Sequence, residues 1–229
     1  MGAIYLLRHG QASFGSSDYD QLSPLGHQQA RVLGQALAAR GVRPDVVLSG
    51  TLQRHRETAR SCLTAMGAEA RWDELPGVNE FDHEDVIRQA EPRYADRLVM
   101  MGELAASGDP RRAFQAFFKD AVHRWVRAQA PGYAEPWAQF KQRCIDALDD
   151  IVRRTPHKGS TLVFTSGGTI SVICAHLLGL DDEQAFTINW TLANAGITKL
   201  IAGRDGLHLL SVNEHAHVEG HEPPLLSYR

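Results

Sequence analysis

The sequence predicts an α/β fold: a three-layer α/β/α sandwich on a mainly parallel central sheet, with a helical insertion. Three observations carry this expectation. Short apolar runs ending in polar, glycine-containing turns alternate with stretches of helical period at both ends of the chain, as in a parallel sheet covered on both faces. The middle, about 84–155, keeps helical period and has no clear strand. No Gly/Ser-rich or Pro-rich linker divides the 229 residues, so a single domain spanning 1–229 is expected, interrupted by that insertion.

The elements follow in order. Ala3 to Leu7 is apolar and ends at Arg8-His9-Gly10, a buried strand running into a turn. Ser23 then suits an N-cap and Pro24 a first helical position, with Gly26, Ala30, Leu33 and Leu37 on one face and Gly41 closing the helix. Val46-Val47-Leu48 forms a second buried strand. Its end, Ser49-Gly50-Thr51, opens a helix bearing Ala59, Cys62, Leu63 and Met66, and Ala68 to Leu75 reads as a third, more exposed strand. In the insertion, Phe114, Phe117, Phe118, Ala121, Val122 and Trp125 recur at helical steps, a stripe read as core packing. A further helix from Pro136 carries Trp137, Phe140, Cys144, Ile145, Leu148 and Val152. Thr161 to Thr165 resumes the sheet, Ser166-Gly167-Gly168 turns, and Ile170 to Leu178 is helical. Ile197 to Ala202 and Leu207 to Val212 flank a hairpin turn at Gly203 to Gly206.

Composition narrows the function classes. The hydrophobic fraction of 43% fits a globular core, and 24 Lys and Arg against 27 acids leave a net charge of −3, no basis for general nucleic-acid binding. Cys62, Cys144 and Cys174 each fall in an apolar helical stripe, which suits core residues in a reducing compartment. No basic, apolar leader is seen, and the longest apolar stretch, Ile170 to Leu180, is too short to span a bilayer and is interrupted by His176. A cytoplasmic protein with no membrane partner is expected. The 11 histidines show no metal-ligand spacing, and neither metal nor cofactor is expected.

The chemistry concentrates at three strand ends: Arg8-His9-Gly10, Ser49 to Arg54, and Ser166-Gly167-Gly168. Open α/β sheets place ligands there, and free N–H groups at helix starts favour anions. A neutral His9 can attack phosphorus and form phosphohistidine. Arg8 and Arg54 offer planar forks that match phosphoryl oxygens, and their charge favours the neutral imidazole. A carboxylic acid must protonate the leaving oxygen and later activate water, a contribution of about 10²–10⁴-fold.

Leu7-Arg8-His9-Gly10-Gln11 resembles the signature of the histidine phosphatase superfamily, also called the phosphoglycerate mutase-like family. Five further segments are similar to the family's pattern: Leu22 to Ala30, Ser49 to Arg54 with Thr58-Ala59, Asn79-Glu80-Phe81-Asp82, Thr165 to Ile170, and Asn194 to Thr198. The resemblance implies a phosphomonoester hydrolase with His9 as nucleophile, Glu80 as acid/base, and Arg8, Arg54, Ser166 and Gly167 holding the phosphate. It implies no metal or cofactor and, as partner, a small phosphorylated metabolite or a phosphate or sulfate ion; a homodimer is compatible with it. Specificity is implied to lie in the insertion. Two departures stand out. Ser166 occupies the place of a second catalytic histidine, where loss of a preorganised donor costs about 10²–10³ in rate. Ser166 equally suits an ordinary N-cap. His55 and His83 are the nearest auxiliary candidates in sequence, though each is read more readily as a loop or helix residue near the pocket. Gly15 stands where the mutases carry an asparagine. The alternatives are therefore mutase-type phosphoryl transfer, and a weakly active or inactive phosphate-binding protein on the same scaffold.

Overall fold

The computed structural model describes residues 1–13, 20–128 and 132–228. They fall into two compact units, Met1–Glu80 with Arg143–Arg229, and Phe81–Gln142.

The first unit holds a six-stranded sheet. Its strands are β1 (Gly2–Arg8), β2 (Val46–Ser49), β3 (Asp73–Glu74), β4 (Ser160–Thr165), β5 (Ile197–Gly203) and β6 (Gly206–Glu214), in the order β3-β2-β4-β1-β5-β6. The first four are mutually parallel; β5 and β6 are antiparallel additions joined by the turn at Arg204-Asp205. Helices α1 (Pro24–Ala39) and α2 (Gln53–Met66) precede the second unit in the chain; α7 (Gly167–Leu178) and α8 (Asp182–Asn189) follow β4.

The pleat explains the layers. Alternate residues of a strand face opposite sides. Ile4 and Leu6 of β1 and Val163 of β4 pack with Ala147, Leu148 and Ile151 and with Ile170 and Ile173 of α7. Tyr5, Leu7, Leu162 and Phe164 point the other way, into Leu33 and Leu37 of α1 and Ala59, Cys62 and Leu63 of α2. The result is the three-layer sandwich. Ser23 caps α1 as expected, accepting from the Gly26 N–H, with Pro24 at the helix start. Cys62, Cys144 and Cys174 are all free and buried. The third strand is much shorter than expected. Only Asp73 and Glu74 pair, opposite Leu48 and Ser49, because the N–H groups of Ala68 and Arg71 go to the Leu63 and Glu69 carbonyls, closing α2 and forming a turn instead.

The second unit is helical: α3 (His83–Ala90), α4 (Arg97–Ala105) and α5 (Pro110–Val126). Helix α6 (Trp137–Arg154) begins in it and ends in the first unit. The aromatic stripe of α5 divides. Ala121, Val122 and Trp125 are buried, and the Trp125 ring meets those of Phe81, Trp137 and Phe140 at 4.7, 5.3 and 5.5 Å. Phe114 and Phe118 instead stack on each other, half-exposed. The boundary of the unit lies before the expected position 155, because Ala147, Leu148 and Ile151 of α6 belong to the core beneath the sheet. Among the described residues, no helix is long and apolar enough to cross a membrane.

Candidate active site

Register brings the three chemical segments together. Arg8 of β1 lies opposite Thr165 of β4, and Ser49 of β2 opposite Phe164. The next residues along, His9, Gly50 and Ser166, therefore emerge at the carboxyl edge of adjacent parallel strands, with β4 in the middle. His9 is held by its backbone. Its N–H donates to the Thr165 carbonyl at 2.9 Å, and its own carbonyl accepts from Ala195 N and Asn194 Nδ2, each at 3.2 Å.

The His9 side chain is 6% exposed, and its Nδ1 lies 2.7 Å from the Gly10 carbonyl. A carbonyl only accepts, so Nδ1 carries the proton and Nε2 presents its lone pair. Burial pushes the imidazole well below its usual range, reinforced by Arg54, then Arg8, then His55, with the Gly10 bond opposing. The ring is thus neutral near pH 7, the state a nucleophile requires.

Arg54, in the first turn of α2, is as enclosed as His9, and its NH1 donates to Asp20 Oδ1 at 2.7 Å. The other Asp20 oxygen accepts from Gln53 N at 2.7 Å. One carboxylate thus occupies both the guanidinium and a free N–H at the start of α2, the donors an anion would use. Thr58 ties this turn to the first motif: its hydroxyl donates to the Arg54 carbonyl at 2.6 Å and accepts from Gly10 N at 3.1 Å. Arg8 donates through NH1 to the Leu192 carbonyl. Its guanidinium lies against the start of α7, where a Cβ on Gly167 would stand 3.4 Å from Nε.

Glu80 reaches the same helix start. Its Oε2 accepts from Gly168 N at 3.2 Å. The segment before it is fixed by hydroxyls and a guanidinium: Thr165 Oγ1 donates to Val78 O at 2.6 Å, Thr169 Oγ1 to Asn79 O at 3.1 Å, and Arg143 NH1 to the Gly77 and Asn79 carbonyls at 3.0 Å.

Two auxiliary expectations separate. His55 is fully buried, its ring centroid 5.7 Å from that of His9 and its Nε2 2.6 Å from Ser166 Oγ. It faces inward from α2, a helix residue beside the strand edge. His83 starts α3 in the helical unit. The N-cap reading of Ser166 holds for the backbone and fails for the side chain. Its dihedrals are extended ahead of α7, but the hydroxyl makes no capping bond. Gly15 lies outside the described residues. Thr58 falls in a family-like segment without being marked there as a site residue; no local pattern marks Asp20, and only the fold brings it to Arg54. Among the described residues, no grouping of three or more His, Cys, Asp or Glu side chains could hold a metal ion.

Comparison with known proteins agrees on the family. The model of the histidine phosphatase superfamily (branch 1) matches residues 4–110 and 100–215. A 2,3-bisphosphoglycerate-dependent phosphoglycerate mutase of Thermobifida fusca (strain YX) is 39% identical over 220 residues, covering 82% of this chain and 83% of the relative. Among solved structures, a phosphoglycerate mutase from Bacillus anthracis superposes with TM-score 0.64 at 20% identity, over 94% of each chain. The alpha-ribazole phosphatase from Shigella flexneri gives 0.61 at 19%, over 93% of this chain and 96% of its own. These structural likenesses speak for the fold, whereas the family match spans nearly the whole sequence: the chain belongs to the histidine phosphatase superfamily.

Proposed function

We propose that the protein is a phosphomonoester hydrolase that works through a phosphohistidine on His9. One observation carries the reading: His9 is buried, neutral and fixed in the tautomer that exposes Nε2, beside two guanidinium groups. The phosphoryl group sits between Arg8 and Arg54, with Ser166 and Gly167 at the start of α7 completing the cradle. The Nε2 lone pair attacks phosphorus, the P–O ester bond breaks, and the leaving oxygen takes the proton of Glu80. A bound phosphate dianion beside Glu80 favours the protonated carboxyl needed for this step. Water then attacks phosphorus, its proton passes to Glu80, and the N–P bond breaks to release phosphate. No step uses a metal ion, so a chelator is expected to leave the rate unchanged. The substrate proposed is a small phosphorylated metabolite, and the compartment proposed is the cytoplasm, in keeping with the three free thiols.

The relative at 39% identity bears a mutase name and favours a second reading, phosphoryl transfer between phosphoglycerates. The two separate experimentally. Hydrolysis of p-nitrophenyl phosphate that is lost in His9→Ala, with an acid-labile, base-stable phosphoenzyme in the wild type, supports the hydrolase. Interconversion of 2- and 3-phosphoglycerate on addition of 2,3-bisphosphoglycerate, outpacing hydrolysis, would transfer the assignment to the mutase. Phosphate binding without turnover by either assay would leave only a phosphate-binding protein.

A further inference from the structure

We propose that His55 and Ser166 form one unit, in which the imidazole on α2 positions the serine hydroxyl as a hydrogen-bond donor to the phosphoryl group at His9. The inference rests on the hydrolase reading above and adds a positioning residue to it.

The placement comes from sheet order. Since β4 lies between β1 and β2, Ser166 emerges between His9 and Gly50. His55 packs over Gly50, where a Cβ would stand 2.2 Å from its Nδ1; any side chain there would collide with the ring. The imidazole is thereby turned so that Nε2 meets Ser166 Oγ at 2.6 Å, both residues being fully buried.

The serine gives up something to make this bond. A serine ahead of a helix ordinarily accepts from an N–H of the first turn. Here the hydroxyl makes no such bond, and the Gly168 N–H goes to Glu80 instead. The hydroxyl is committed to His55 and the helix start to the carboxylate.

Proton bookkeeping sets the direction. His55 Nδ1 is buried with no hydrogen-bond partner. An orphaned buried N–H is rarer than an under-used acceptor, so the proton sits on Nε2 and is donated to Oγ. The serine hydrogen is then left for a ligand, and a phosphoryl oxygen beside His9 is the acceptor the site supplies. Burial, then Arg54, keeps His55 uncharged. The pair therefore adds a donor without placing a further cation beside the nucleophile, whose lone pair must stay free.

The test is a double-mutant cycle on kcat for p-nitrophenyl phosphate. His55→Leu and Ser166→Ala are each expected to lower kcat by about 10²–10³-fold, the cost of losing one preorganised donor, with a smaller change in KM. The double variant should be no slower than the slower single one, because residues acting as a unit are not additive. His55→Gln keeps an amide donor near the Nε2 position and is expected to recover tenfold or more over His55→Leu. It also covers the case in which the leucine variant does not fold. Losses that multiply in the double variant, or equal rates for Gln and Leu, would overturn the inference. His9→Ala separates the two proposals: activity lost in His9→Ala but retained in both His55→Leu and Ser166→Ala ends this inference alone, whereas activity retained in His9→Ala ends the hydrolase reading beneath it.

Discussion

Acidification from about pH 7 to about pH 5 is expected to destabilise the protein through two enclosed imidazoles. His9 and His55 both titrate well below 6.5, first because burial penalises the imidazolium and then because Arg54 lies close. Unfolding restores ordinary titration. Between 6.5 and the depressed native values the unfolded chain binds more protons, so stability falls as pH falls through that window and is unaffected above it. Each imidazole costs about 1.4 kcal/mol per pH unit. Between 6.5 and pH 5 this sets a ceiling of about 2 kcal/mol for each, reached only where the native value lies below the assay pH, against a typical 5–15 kcal/mol stability. Urea unfolding of the wild type and of His9→Asn/His55→Gln at both pH values measures it. The double variant should lose measurably less stability on acidification than the wild type, by up to about 4 kcal/mol, with His55→Gln alone in between. Equal losses in wild type and double variant would refute the reasoning, since carboxylates elsewhere would then carry the acid sensitivity.

Other outcomes are expected. Gly50→Ala forces an atom to within 2.2 Å of His55 Nδ1 and 2.7 Å of Asn79 Oδ1, so chemical denaturation should show a loss of about 1–3 kcal/mol, accompanied by reduced turnover. Asp20→Asn keeps the shape of the Arg54 pairing and removes its charge. Inorganic phosphate should then inhibit about 2–5-fold more tightly, as expected for releasing an ion pair whose carboxylate is partly exposed, and weaker inhibition would show that Asp20 organises the guanidinium instead. The thiols should react with a disulfide reagent only on unfolding, because burial raises Cys174 to about 12 and Cys62 higher still. Rapid labelling of the native protein would contradict their burial.

Much of the site was legible because its parts sit at strand ends. An apolar run that stops at Arg8-His9-Gly10 announces both a buried strand and what lies at its edge, and the same holds for Ser166 after β4. Arg54 was readable in the first turn of α2. The orientation of His55 was not, since adjacent positions on a helix point about 100° apart and only the packing over Gly50 decides which one faces the strand edge. Asp20 was illegible for another reason: its partner lies 34 residues away, and a lone acid carries no periodicity. The insertion was recognised by helical period, but period does not say which core a helix serves. The stripe on α6 runs unbroken from Trp137 to Ile151 while its two ends belong to different units. The short β3 reflects the turn that follows α2, which takes up the N–H groups of Ala68 and Arg71.

The position of β1 has a consequence for how the molecule is made. This first strand is flanked in the sheet by residues 160–165 on one side and 197–203 on the other. While a ribosome extends the chain, the strand that leads to His9 has neither hydrogen-bonding neighbour until residues 160–165 have been made. Closing contacts of that sequence separation is slow, and an apolar strand left waiting is a target for misassociation. The edge that carries His9 should therefore be completed in one late step, when β4 and β5 both flank β1.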